Sequence, residues 1–374
     1  MPRLIIRLLT LPVILLVFSG CALLRSLSNG NDSGSPPCDT APGIPDTTMN
    51  QLFARTGGGW TGGDGTYAIG LPDGRIVWLF GDSFLGTVAA DGTRPAGTRL
   101  IRNAMMVQGG LPGTPSGDQF TTFFAGTDDD PRALLSPDDP TLWYWPADGT
   151  VVGDRLIVFL SVFTQTGEGM WGFEYTGRND AAVFTLPDLQ LEKIVTVQAD
   201  TSVRCCAAIL EQAETRYLYS VEEVPGSGKQ VHLARTQAGD LLNLSAWEYF
   251  DGTGWSDNPA DSARILGGVS SEFSVIAWEN GYRLITQEDA FSHRIVAYRA
   301  DAPQGPWHDP QLLYCTPESG GEIFTYNAQL YPEFTTDEGW LLSYDVNSGN
   351  FSDLFADTAL YRPRFVRVPP PTGQ

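Results

Sequence analysis

Apolar residues come in short runs along this chain, and the runs come in pairs. Tyr67 to Leu71 and Ile76 to Phe80 flank Pro72-Asp73-Gly74. An Asp-Gly pair between two such runs predicts a hairpin, because Gly tolerates positive φ and the turn twist matches the strands. Four more pairs follow. Trp143 to Trp145 continues through Ala147-Asp148-Gly149-Thr150 to a turn near Gly153 and returns from Leu156 to Phe163. Ala207 to Leu210 and Tyr217 to Val221 join around Gln212 to Thr215. Phe273 to Trp278 and Tyr282 to Thr286 join at Glu279-Asn280-Gly281, and Ala328 to Phe334 and Trp340 to Val346 join at Thr336 to Gly339.

The turn centres, near residues 73, 153, 213, 280 and 337, recur roughly every 57 to 80 residues. Each gap holds one or two further strands, such as Ala181 to Leu186, Val231 to Arg235 or Arg294 to Arg299. Strong helix signals are absent, and 41 Gly and 26 Pro punctuate the runs, so the chain reads as all-β. A four-stranded sheet at this spacing predicts a five-bladed β-propeller. A two-sheet sandwich is the alternative, and the blade-sized spacing suits it less well. Leu52 to Arg55 and Phe365 to Val368 are expected to close the ring by shared pairing. The propeller is then placed at residues 51–368, with a short tail at 369–374.

The N-terminus has a different pattern. Arg3 and Arg7 precede an apolar stretch, Leu8 to Phe18, that is short for a bilayer span. Phe18-Ser19-Gly20-Cys21 follows and resembles the lipobox of bacterial lipoproteins, in which the Cys is lipidated and becomes the mature N-terminus. Residues 1–20 are therefore expected to be a lipoprotein signal peptide, with a plain secretory signal as the alternative. Cys21 is the expected lipidation site, and Ala22 after it favours an outer-membrane destination in the bacterial cell envelope. Acyl chains anchor stably because each buried CH₂ contributes roughly 0.8 kcal/mol. Residues 21–50 are rich in Ser, Gly, Asn, Asp and Pro and read as a flexible tether.

Charge narrows the choice of partners. With 44 acids against 23 bases the net charge is −21, which repels phosphate backbones and makes nucleic acid an unsuitable partner. Cys38, Cys205, Cys206 and Cys315 remain after the lipid Cys. Adjacent Cys205 and Cys206 are not expected to pair with each other, so Cys38 or Cys315 is the expected partner of one of them. No CxxC spacing exists and His totals three, so neither a metal centre nor a cofactor is expected. Asp128-Asp129-Asp130 could hold a structural Ca²⁺ but lacks a known loop spacing. His232, His293 and His308 lie near no Ser or Cys nucleophile motif. The chain is expected to be a monomer.

Asp64 stands just before the first strand of the opening hairpin and Asp82 just after the second. Antiparallel pairing brings both to the same end. Two acids at one mouth is the arrangement that glycosidic bond hydrolysis uses, although Asp beside Gly also simply makes turns. Blade-joining loops should gather further acids there: Asp200, Glu223, Glu272, Asp289 and Asp345. Trp60, Trp171, Trp255, Tyr326 and Tyr344 offer flat faces for sugar rings, and Arg362 could reach the channel.

The phrases WTGGDGTYAIGLPDGRIVWLFGDSFLG, GVSSEFSVI, DAPQGPWHDPQLLY and ALYRPRFVRV together resemble a bacterial family of secreted, glycosidase-like five-bladed propellers. That family is described as domain of unknown function 4185, and its relatives include endo-D-arabinanases acting on mycobacterial arabinan. By position, the resemblance implies an acidic pair at Asp64 and Asp82 and a third acid at Glu272. Tyr361, Arg362 and Arg364 fall in its YRPRF motif. Two departures stand out, Cys205-Cys206 where relatives carry Trp-Gly, and Tyr331-Pro332-Glu333 where many have His-Pro-Glu.

The expected function is a surface-tethered glycoside hydrolase on a carbohydrate polymer, with a furanose polymer such as arabinan as the example the resemblance implies. Asp64 is read as base or nucleophile, Glu272 as general acid and Asp82 as an orienting group. Glu223, Asp289, Asp345, Trp60, Tyr326, Tyr344 and Arg362 are read as substrate-binding. The alternative is a glycan-binding scaffold propeller that kept the fold and lost the chemistry.

Overall fold

A computed structural model of the protein describes residues 38–371. The expected signal peptide, Cys21 and most of the tether lie outside the described residues. Each of the five hairpins forms, and each is the start of an antiparallel sheet. Blade I runs Tyr67–Gly70, Ile76–Phe80, Ala104–Gln108, Phe120–Phe123. Blade II runs Leu142–Val152, Arg155–Gln165, Phe173–Thr185, Gln190–Gln198. Blade III runs Val203–Gln212, Thr215–Val224, Gly228–Gln237, Glu248–Phe250, with two short strands added at its edge. Blade IV runs Ser274–Trp278, Gly281–Gln287, Arg294–Ala300, His308–Cys315. Blade V runs Ile323–Thr336, Gly339–Ser348, Pro363–Val368 and takes its fourth strand, Ile44–Pro45, from the start of the described chain.

The first strand of each blade touches the first strand of the next, and Ile323–Thr336 returns to Tyr67–Gly70, so the five sheets close into a ring. Five buried apolar clusters fill the five gaps between neighbouring blades. Leu79, Met105, Leu156 and Val158 sit between blades I and II, and Trp340, Leu342, Ile285 and Leu313 between IV and V. The turns follow from local chemistry. At the first, Gly74 stands at φ +87° and its N–H donates to the Leu71 carbonyl at 2.9 Å. No helix among the described residues is long and apolar enough to cross a membrane.

Ring closure differs from the expectation in its first partner. Ile44 and Pro45 pair with Arg367 and Val366, whereas Leu52 belongs to a helix, Thr47–Phe53. Asp46 caps that helix, accepting from the Met49 N–H at 2.9 Å, and its other oxygen accepts from Arg367 Nε at 2.7 Å. Met49 and Phe53 are buried against blades I and V. The folded unit therefore includes residues 38–50, which composition alone assigns to the tether.

The disulfides also correct the expectation. Cys38 bridges to Cys315 on the outer strand of blade IV, and Cys205 bridges to its neighbour Cys206. Cys206 lies at φ +70°, so the local backbone departs from the extended path in which adjacent side chains point apart. Cys38 is meanwhile held at the ring's outer edge.

Candidate active site

Asp64 sits in the turn that leads into blade I, and Asp82 follows that blade's second strand. Gly81 N–H donates to the Asp64 carbonyl at 2.7 Å and Asp64 N–H to the Asp82 carbonyl at 3.4 Å, so the two acids emerge side by side. Two glycines make this approach possible. A Cβ on Gly81 would lie 2.9 Å from Asp64 Oδ1. Gly65, at φ +66°, leaves space that a Cβ would take at 3.4 Å from Glu272 Oε1, so blade IV's acid reaches the same loop.

The three acids have different surroundings. Asp64 Oδ2 accepts from the Tyr326 hydroxyl at 2.6 Å and the Tyr361 hydroxyl at 3.0 Å. Burial pushes the Asp64 carboxyl up to about 7; the Asp82 charge adds to that and the two hydroxyls oppose it. Asp82 pairs with Arg102 at 2.9 Å through Oδ2 and accepts from Trp145 Nε1 at 2.8 Å through Oδ1. Burial raises its pKa, while Arg102 and Trp145 favour the ionised form. Glu272 lies well above the ordinary carboxylate range, through burial first and then the charges of Asp345 and Asp64. Its Oε2 is buried without a hydrogen-bond partner among the described residues, a position in which a neutral carboxyl costs far less than a charged one.

These groups open into a cavity of about 920 Å³ whose lining draws on all five blades. Asp64, Asp82, Glu272, Tyr326 and Glu223 line it, as do Asp200 and Trp171. Glu223 is at the rim, its side chain 78% exposed. Trp171 and Phe291 are exposed at the mouth and lie 5.6 Å apart; Phe324 is 5.5 Å from Tyr326, which leads to Asp64. This run of aromatic faces suits sugar rings.

Five of the expected substrate-binding residues sit elsewhere. Trp60 is fully buried between Phe53 and Phe80, where it packs blade I. Tyr344 is 1% exposed, its hydroxyl donating to Glu318 at 2.8 Å. Asp345 is buried beneath the Asp64 loop, where Oδ2 accepts from Gly65 N–H at 2.7 Å and Oδ1 from the Thr66 hydroxyl at 3.0 Å. It braces the loop without lining the cavity. Arg362 is buried and donates from Nε to the Thr61 carbonyl at 2.8 Å, serving backbone groups that would otherwise be unpaired. Asp289 is exposed at φ +59° and falls outside the cavity lining. Trp255 packs on Phe250 and Arg235 in blade III.

Sequence reasoning missed Arg102, Trp145 and Arg204. Arg102 and Trp145 meet Asp82 from 20 and 63 residues further along the chain, and only the fold brings Arg204 to the same cavity. Tyr361 carried a weak signal, through the YRPRF phrase. It stands at φ +63°, a strained conformation for a bulky residue, and strain of this kind collects at functional sites. Of possible metal ligands, Cys38, His293 and Cys315 lie together, but the two Cys are spent on their disulfide. Asp128, Asp129 and Asp130 are exposed in a turn, with Arg99 3.7 Å from Asp130.

Several solved structures are similar to this chain. A protein from Bacteroides ovatus ATCC 8483, named provisionally as a hydrolase, is 24% identical with a TM-score of 0.75, over 87% of this chain and 90% of that one. A GH43_1 enzyme from Xanthomonas citri, complexed with xylose, is 14% identical with a TM-score of 0.46, over 87% and 90%. An α-L-arabinofuranosidase from Podospora anserina, complexed with cellotriose, is 12% identical with a TM-score of 0.45, over 88% and 96%. No curated protein matches the chain by sequence. The model of the family described as Domain of unknown function (DUF5005) matches residues 46–370, and the chain belongs to that family.

Proposed function

We propose that the protein is a glycoside hydrolase whose reacting bond lies between Glu272 and Asp64. The observation that carries this reading is the convergence of three carboxylates from distant segments on one open cavity, in environments that separate their protonation. Glu272, buried and with one oxygen unpartnered, keeps its proton and gives it to the glycosidic oxygen as the bond to the anomeric carbon breaks. Asp64 acts on the anomeric carbon, by direct attack or by taking a proton from the water that attacks it. Two tyrosine hydroxyls hold one of its oxygens and leave Oδ1 for that work. Asp82, whose ionised form Arg102 and Trp145 favour against burial, orients its neighbours and when charged adds a negative field beside the positive charge that develops on the sugar. The provisional name of the Bacteroides ovatus protein is in keeping with this reading.

The resemblance of the GGDG, FGDS and SEFSV phrases to the endo-D-arabinanases of domain family 4185 makes a furanose polymer such as arabinan the first substrate to try. The lipobox-like Cys21 supports a lipid anchor at the cell envelope, probed by mass spectrometry of the mature N-terminus for an acylated Cys21. Purified protein is incubated with arabinan, arabinogalactan and fructan, and released oligosaccharides are read by chromatography. Release from at least one is expected. Binding without release from any glycan would replace the hydrolase by a scaffold propeller.

A further inference from the structure

Blade III contributes two cations to the cavity, Arg204 near the start of Val203–Gln212 and Lys229 near the start of Gly228–Gln237. Most cations among the described residues pair with a carboxylate. Arg216 pairs with Glu211, Arg294 with Glu288 and Arg367 with Asp46. Buried Arg94 and Arg362 are given over to backbone carbonyls. Arg204 has neither kind of partner. Among the described residues it makes no ion pair within 4.0 Å and no side-chain hydrogen bond, and its guanidinium rests 5.9 Å from the centre of the Phe163 ring.

Lys229 is scarcely better served. Its one carboxylate, Glu223, stands 4.0 Å away and is 78% exposed, whereas the Lys229 side chain is 12% exposed. Burial pushes its ammonium pKa down; the Glu223 and Asp289 charges oppose that and the Arg204 charge adds to it. Two like charges share a half-buried wall, at a cost in free energy that Glu223 and Asp289 offset only for Lys229. An anion seated between them would remove that cost. Arg204 and Glu272 line the same cavity, and the Arg204 charge favours the ionised form of Glu272.

We propose that Arg204 and Lys229 form an anion subsite for the carboxylate of an acidic sugar, so that the glycan held here carries a uronate next to the bond presented to Glu272. The inference rests on the glycoside hydrolase reading of the same cavity. A planar guanidinium fits a carboxylate edge to edge and the ammonium adds a compact second charge, whereas a neutral sugar would leave both unanswered.

The test is calorimetric binding of the full-length protein to glucuronate- and galacturonate-bearing oligosaccharides, each against its carboxyl-reduced counterpart, with a sulfated oligosaccharide as a third arm. The acidic member of a pair is expected to bind about tenfold more tightly, a margin that shrinks as salt is raised. Arg204→Ala should abolish the margin, Arg204→Lys should keep part of it, and Lys229→Met should reduce it. Tighter binding of the sulfated arm alone would overturn the uronate and make a sulfate ester the anion of this seat. Equal binding of acidic and reduced members by the unmodified protein would overturn the proposal, and that comparison needs no variant to fold. So would an Arg204→Ala protein that weakens on both members alike. Acid preference without cleavage of any glycan would sink the hydrolase reading and leave the subsite standing; cleavage with no acid preference would do the reverse.

Discussion

Around the Asp64 loop, where blades I and V meet, the aspartates have their partners. Asp64 has two tyrosine hydroxyls, Asp82 an arginine and an indole, and Asp345 a backbone N–H and a threonine hydroxyl. In the part built by blade III, Arg204 has none and Lys229 has one distant carboxylate at the rim. The first region resembles a finished tool, with dipoles fixed before any substrate arrives, which is how a site lowers a barrier without reorganising. The second has charges in place and their partner missing. On the proposed reading chemistry and recognition fall to different blades, and each should be open to disturbance without the other.

The largest effect should come from Glu272. Replacing it with Gln removes the proton donor and keeps the shape, so turnover of a natural glycan is expected to fall about 10²- to 10⁴-fold. An aryl glycoside with a good leaving group should lose far less, and equal losses on both substrates would remove Glu272 from the acid role. Asp345→Ala comes next, since it frees Gly65 and Thr66 and lets the Asp64 loop drift. A fall of about 10- to 100-fold in kcat with little change in glycan binding is expected, and an unchanged kcat in a folded protein would make Asp345 irrelevant to the loop. Tyr361→Phe is milder. The lost hydroxyl favoured ionised Asp64, so the acid limb of the pH–rate profile, set by a group at about 7, should move to higher pH. A limb that stays in place would detach Tyr361 from Asp64.

The smallest effect concerns stability. Asp64 is raised from 3.8 to about 7 in the folded protein, so the native state binds its proton more tightly than the unfolded chain does. That contribution is complete below pH 3.8 and lost as pH rises through 7. Asp64→Asn, which cannot ionise, should therefore melt a few degrees higher than the parent protein at pH 8 and lose the advantage near pH 4. A variant that melts lower at pH 8 would show that its carboxylate is comfortable when charged.

What could be read from the chain was local. All five hairpin turns fall where Asp-Gly, Gly153 or short polar pairs interrupt apolar runs, because a two-residue turn is decided by its own residues. Asp64 and Asp82 were legible for the same reason, as they flank one hairpin. The closing strand was not, since Ile44–Pro45 is two residues long and leaves no alternation to read. Trp60 and Tyr344 have the same residue types as a sugar platform, and only their positions between blades make them core. Arg102, Trp145 and Arg204 depend on which strand lies beside which, a long-range outcome that spacing does not encode.

The most direct measurement is the paired turnover and binding of Asp64→Asn on whichever glycan the unmodified protein cleaves. A loss of about 10³-fold or more in kcat, with the dissociation constant changed less than threefold, is predicted. Turnover within tenfold of the parent, or binding lost together with it, would mean that Asp64 does not act on the anomeric carbon.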